Sequence, residues 1–218
     1  MESVTNARNQ ILADIRQTLK RTATSPVAPR PPILAPRIPG PTEPEIEKFL
    51  KEIATLGACG AQITPAQLSD ALAELVKKES VRRAVLWNTE RLRRLGFVEK
   101  LRALGVDLIA TDADKHIMAQ ADLGITEADF ALPETGTLGL LSLPTQPRSV
   151  SLLPRVHLAI IHRSAWRADL HQVFDEAKAH RYLIFITGPS RTSDIELIVT
   201  IGVHGPQVLY VWIIDDEA

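Results

Sequence analysis

The sequence predicts an α/β fold: a mostly parallel sheet covered by helices, with one antiparallel hairpin. Short apolar segments rich in Val, Ile and Leu alternate with helical segments of roughly 10–15 residues, the rhythm of βαβ units. Only Pro133, Glu134, Thr135 and Gly136 separate the apolar segments Asp129–Leu132 and Thr137–Leu143. That connection suits a hairpin and is too short for a parallel crossover. The 218 residues also suffice for a large core, since a domain of this size buries roughly 70% of its unfolded surface.

The elements follow in order. Residues 5–21 read as an amphipathic helix, with Ile11, Leu12, Ile15 and Leu19 on one stripe. Eight prolines then fall within 22–44, namely Pro26, Pro29, Pro31, Pro32, Pro36, Pro39, Pro41 and Pro44. Proline fixes φ and removes a donor, so this stretch reads as an extended linker. Helix 44–56 carries Ile46, Phe49, Leu50 and Ile53, and the apolar segment Ala58–Ile63 follows. Helix 65–78 carries Leu68, Leu72, Leu75 and Val76, with Pro65 in its first turn. Next come strand Ala84–Asn88, helix 90–103, strand Val106–Thr111 and a helix over 113–122. After the hairpin, alternation resumes with strand Val156–His162, helix 166–180, strand Tyr182–Thr187, a short helix 193–201 and strand Val208–Ile214. The expected organisation is a helix over 1–21, a proline-rich linker over 22–42 and an α/β domain over 43–218.

Composition narrows the function. Lys plus Arg is 25 and Asp plus Glu is 26, for a net charge of −1, which argues against a general nucleic-acid binder. Residues 1–42 hold six basic and two acidic side chains, +4, leaving −5 for the remainder. A basic arm of this kind docks on a partner, on its own domain or on a second copy, so a homo-oligomer is one expectation. The single cysteine, Cys59, makes neither an internal disulfide nor a cysteine-ligated iron–sulfur cluster. No apolar run approaches the roughly 20 residues of a membrane span, and residues 1–20 lack the apolar core of a signal peptide. A cytoplasmic location is expected.

Four strings carry candidate chemistry. Gly188, Ser190, Arg191 and Thr192 lie in the string from Thr187 to Glu196, after an apolar strand and before the expected short helix. Backbone amides, hydroxyls and a guanidinium there suit a carboxylate or phosphate. Ser193 and Glu196 equally form a capping box, which leaves Arg191 unexplained. Glu134, Thr135, Gly136 and Thr137 place a carboxylate at the hairpin tip, able to act as nucleophile, base or ligand; a solvated turn would look the same. His204, between Gly202 and Gly205, is a candidate acid–base group or an ordinary turn residue. Arg148 and Ser149, in the proline-bounded loop 146–154, extend the anion site. Metal ligation is not supported: His157 and His162 face opposite sides of a strand, and His171 and His180 opposite sides of a helix. No nucleotide-binding glycine motif occurs.

The strings Ala128-Asp129-Phe130, Glu134-Thr135-Gly136-Thr137, Ser151-Leu152-Leu153-Pro154-Arg155-Val156-His157, Ile186-Thr187-Gly188-Pro189-Ser190-Arg191-Thr192 and Gly202-Val203-His204-Gly205-Pro206 resemble the lactate-utilization protein C family in the same order. The resemblance spans about 120–215. It implies a LUD domain with a three-layer α/β sandwich similar to the NagB/RpiA/CoA-transferase group. It also implies a subunit that acts with iron–sulfur partner proteins in oxidising L-lactate to pyruvate. With Cys59 alone, such clusters would lie on partner subunits, and this chain would bind no cofactor. The likeness to CoA transferases, which use a glutamate nucleophile, implies an alternative: a stand-alone transferase or sugar-phosphate-isomerase-like enzyme with Glu134 as nucleophile or base. Pro133 departs from the family's pattern, and a proline there stiffens the turn and shifts the carboxylate. Arg191, Glu134 and His204 are expected to meet in one cleft.

Overall fold

The computed structural model describes residues 2–20, 29, 37–38, 42–180, 182–193 and 198–214. The chain divides into two compact units, Met1–Ala35 and Pro36–Ala218. The first contains helix α1 (Glu2–Thr18), on which Ile11 and Ile15 are exposed. Most of the expected linker lies outside the described residues.

The second unit runs α2 (Thr42–Thr55), β1 (Cys59–Ile63), α3 (Leu68–Lys78), β2 (Arg83–Leu86), α4 (Glu90–Arg94), α5 (Phe97–Ala103), β3 (Asp107–Ile109), α6 (Lys115–Met118) and β4 (Leu123–Ala128). It continues with β5 (Phe130–Leu132), β6 (Thr137–Leu141), α7 (Ser149–Leu152), β7 (Val156–Ile161), a 3-10 turn (Arg163–Ala165), α8 (Leu170–Ala177), β8 (Leu183–Ile186), β9 (Arg191–Thr192), β10 (Thr200–Ile201) and β11 (Val208–Ile214). Six strands form a parallel sheet in the order β1-β11-β7-β4-β2-β3. Central β7 is buried at all six positions, as a strand covered on both faces must be.

Register assigns the layers. Gly60 pairs with Val211, and a side chain at Gly60 would strike Ile53 and Leu50 of α2. Leu209, on the same face as Val211, pairs with His157, which pairs with Gly124; there the carbonyl of Val150 in α7 presses on Gly124. Helices α2 and α7 therefore share one face. Cys59, Ala61, Tyr210 and Trp212 point to the other, where α3 packs. Helix α2 buries Ile46, Phe49 and Ile53, a spacing of one helical stripe, and Phe49 meets Trp166 edge-on at 5.3 Å.

Several expectations change. The helix expected over 90–103 divides into α4 and α5 around Leu95–Gly96. Strand β4 was not expected. The run 123–132 crosses from the parallel sheet (β4) to a small antiparallel one (β5) at Asp129, whose amide donates to Gly139 O at 3.0 Å and whose carboxylate accepts from the Leu141 amide at 2.7 Å. The hairpin β5–β6 forms as expected, with Phe130 opposite Gly139. Strand β8, expected to continue the alternation, instead pairs antiparallel with β6. Loop 146–154 contains the short helix α7. Of the expected helix 193–201, residues 194–197, with the Glu196 half of the capping box, lie outside the described residues. Thr200–Ile201 is a strand paired with Arg191–Thr192, so Arg191 begins no helix.

Candidate functional site

Two of the strings converge. The loop after β8 and the loop before β11 are joined by Ser190 N–H to Pro206 O and Gly202 N–H to Ser190 O, both 2.9 Å. With α7 they enclose a cavity of about 360 Å³, lined by Ser151, Leu152, His157, Phe185, Ser190, Arg191, His204 and Leu209 among others. Among the described lining residues Arg191 is the only permanently charged side chain and no carboxylate appears, a balance that favours an anion. The walls are mixed: Leu152, Phe185, Ile186 and Leu209 are apolar, while Thr187, Ser190 and the two histidines are polar.

The cavity opens at the amino ends of β7 and β11, where His157 and Leu209 are second residues. Parallel sheets more commonly bind ligands at the carboxyl ends of strands. His157 is 1% exposed. Its Nε2 lies 2.8 Å from Thr126 Oγ1, and its buried Nδ1 has no hydrogen-bond partner. Burial alone drives its pKa from 6.5 to about 3, because the imidazolium would lose its hydration. His157 is therefore a neutral, dry imidazole.

The expected cleft forms in part. Gly188, Ser190, Arg191 and His204 line the cavity. Glu134 does not: its side chain is 56% exposed, and its carboxylate lies 4.0 Å from Arg37 Nε. Arg37 also grips Glu45 through both terminal nitrogens, at 2.8 and 2.9 Å, and its amide donates to Asp169 at 2.6 Å. That backbone bond is the largest cause holding the Asp169 carboxyl below its ordinary pKa. Thr135 and Gly136 back the site instead of lining it. Thr135, Thr137 and Thr187 hydroxyls form a chain with steps of 2.8 and 2.9 Å, tying the hairpin tip to the cavity wall. Arg148 lies with a separate surface hollow, its guanidinium 5.4 Å from the Tyr182 ring centroid. Thr192 sits in β9 and does not line the cavity.

Arg191 is braced from behind, since its guanidinium donates to Leu56 O at the end of α2. A guanidinium has five donors, so one such bond leaves others for a ligand.

A second crevice lies where topology favours one, between the carboxyl ends of β2 and β4. The chain leaves β2 toward β3 and leaves β4 toward β7, on opposite sides, a switch point of the sheet. It holds about 320 Å³ and is lined by Trp87, Thr89, Glu90, Arg91, Arg94, Glu127, Asp129 and Gln146. Glu127 accepts from Arg91 at 2.5 Å and from Thr89 at 2.7 Å, and burial pushes the Asp129 carboxyl above its ordinary pKa. Three acids face two arginines, so an anion is less favoured here. The sequence reading missed this crevice: Glu90, Arg91 and Arg94 look like a solvated helix face until β4 places Glu127 beside them.

A cysteine-ligated cluster does not fit the residues present. Cys59 is exposed and is the only cysteine. No group of three His, Cys, Asp or Glu side chains arranged to hold a metal occurs among the described residues.

Comparison with known proteins adds the kinship. The family model described as the LUD domain matches residues 46–214. A protein named Lactate utilization protein C from Shouchella clausii is 34% identical over 166 residues, covering 72% of each chain. Another of that name from Halalkalibacterium halodurans is 36% identical over 151 residues, covering 64% of this chain and 66% of its own. Among solved structures, a DUF162 family protein from Deinococcus radiodurans superposes with a TM-score of 0.62 at 22% identity. The match covers 81% of this chain and 99% of that one, and it supports the fold.

Proposed function

Because this chain belongs to the LUD-domain family, we propose that it serves lactate utilization as a subunit for oxidising L-lactate to pyruvate, beside partner chains that carry the iron–sulfur clusters. The name shared by its relatives supports the role. The single cysteine supports placing the clusters elsewhere.

In this reading the cavity at the amino ends of β7 and β11 is a small-anion pocket. The observation that carries it is the meeting of Arg191, Ser190 and His204 on one cavity with no carboxylate among its described lining residues. Arg191, steadied by Leu56 O, pairs with a carboxylate. Ser190 and the amides near Gly188 add hydrogen bonds, and His204, exposed at the rim, accepts or returns a proton. Glu134, beside Arg37 and outside the cavity lining, takes no part in holding the anion in this reading.

Deletion of the gene, followed by growth on L-lactate as sole carbon source, tests the role. Growth should fail, return with the wild-type gene, and fall by an order of magnitude or more in rate with Arg191→Ala. Normal growth of the deletion strain with no second copy present contradicts the role. Full rescue by Arg191→Ala contradicts the pocket.

A further inference from the structure

We propose that His157 determines the specificity of this cavity, favouring small carboxylates that also carry an uncharged oxygen over those that do not. The inference rests on the anion-pocket reading and adds what the anion must look like.

Three observations carry it. First, register places the imidazole under α7. His157 shares its face with Leu209 and Gly124, and the missing side chain of Gly124 admits the Val150 carbonyl of α7. The imidazole thus lies on the face where Ser151, Leu152 and Leu209 bound the cavity. Second, its two nitrogens differ. Nε2 is engaged by Thr126 at 2.8 Å, whereas Nδ1 is buried without a partner. Native interiors rarely leave a polar atom in that state without a specific reason, a functional role among them. Third, nothing nearby could charge the ring: no Asp or Glu is among the described residues lining the cavity.

A neutral imidazole with one nitrogen engaged offers one hydrogen bond through the other. With Nε2 accepting from the Thr126 hydroxyl, Nδ1 carries the ring proton and donates to a hydroxyl or a keto oxygen, and the uncharged ring gives a carboxylate no ionic attraction. Arg191 supplies that attraction elsewhere in the same cavity. Binding thus has two parts, ionic at Arg191 and neutral at Nδ1. A ligand that reaches this buried nitrogen from the cavity that His157 lines meets it in a dry setting, where a missing hydrogen bond is expensive. A plain carboxylate leaves Nδ1 unpaired and is discriminated against.

The experiment titrates L-lactate, pyruvate and propionate into the full-length protein with ¹⁵N-labelled histidine, reading affinity and the His157 Nδ1 resonance together. Lactate and pyruvate should bind at least about tenfold more tightly than propionate, the worth of one neutral hydrogen bond, and only they should move Nδ1. His157→Asn, which keeps a polar atom near the Nδ1 position, should retain the preference, and His157→Phe should abolish it. Equal affinity for all three probes with Nδ1 unmoved overturns the inference and leaves the anion pocket standing. A preference that survives His157→Phe also overturns it. Binding of none of them overturns the pocket and the inference together. The resonance readout in the wild-type protein decides the matter even where a variant fails to fold.

Discussion

His157 stays uncharged in the folded protein because burial removes the water its cation would need. That has a consequence for stability. The pKa falls from 6.5 in an unfolded chain to about 3 in the fold, so the unfolded state binds the proton first. The associated stability is fully present above about pH 6.5 and is lost as the pH falls toward 3. Between pH 7.5 and 5 the loss is about 2 kcal/mol. Thr126 is its hydrogen-bond partner, and Ser151, Thr187, Ser190, Arg191 and His204 are the other polar side chains among the described residues lining the cavity; none of them is a carboxylate that would retain a proton on the ring. Urea unfolding at pH 7.5 and 5 checks this: His157→Asn should show a pH-dependent loss smaller by about 2 kcal/mol, and equal losses would refute the assignment. The residue was visible in the sequence as part of a family string, but its state was not. It depends on burial beside β4, a strand the sequence did not announce, and on the face covered by α7, a helix read as a loop.

At the level of elements, the end of α2 is the seat on which the site rests. Gly136 and Gly188 both adopt positive φ, +59° and +100°, and both press against it. A side chain at Gly136 would lie 3.1 Å from Ile53, and one at Gly188 2.9 Å from Leu56 O. Only glycine meets both demands at low cost. Gly188→Ala should therefore destabilise the protein by about 1–3 kcal/mol, read as a lower urea midpoint at unchanged slope; an unaltered midpoint would mean that the loop shifts freely. The hairpin β5–β6 was legible because a four-residue connection permits little else. The division of 123–132 between two sheets was not, because no proline and no turn dipeptide marks the corner at Asp129. The partner of β8 was equally hidden, since periodicity identifies a strand without naming its neighbour. Arg191 was expected at a helix start and lies in a short antiparallel pair with Thr200–Ile201.

For the whole molecule, the parallel sheet and its helical layers followed from alternation, and family kinship from a few unusual strings. The location of the site did not follow. Strand order puts a crevice at the carboxyl ends of β2 and β4, where the general rule points, yet its three acids outnumber its two arginines and Arg91 is already paired with Glu127. The cavity at the opposite end gathers the motif residues, because long connections after β8 and before β11 fold back over the amino ends of the central strands. Glu134 was expected in that cleft, and the stiff Pro133 turn instead holds it toward Arg37. The most direct test is a map of amide chemical-shift changes as L-lactate is added to the ¹⁵N-labelled protein. The changes should concentrate at Leu152, Gly188, Ser190, Gly205 and Leu209, around the amino ends of β7 and β11. Changes confined to Thr89, Arg94 and Gln146, or none at millimolar lactate, would contradict the account.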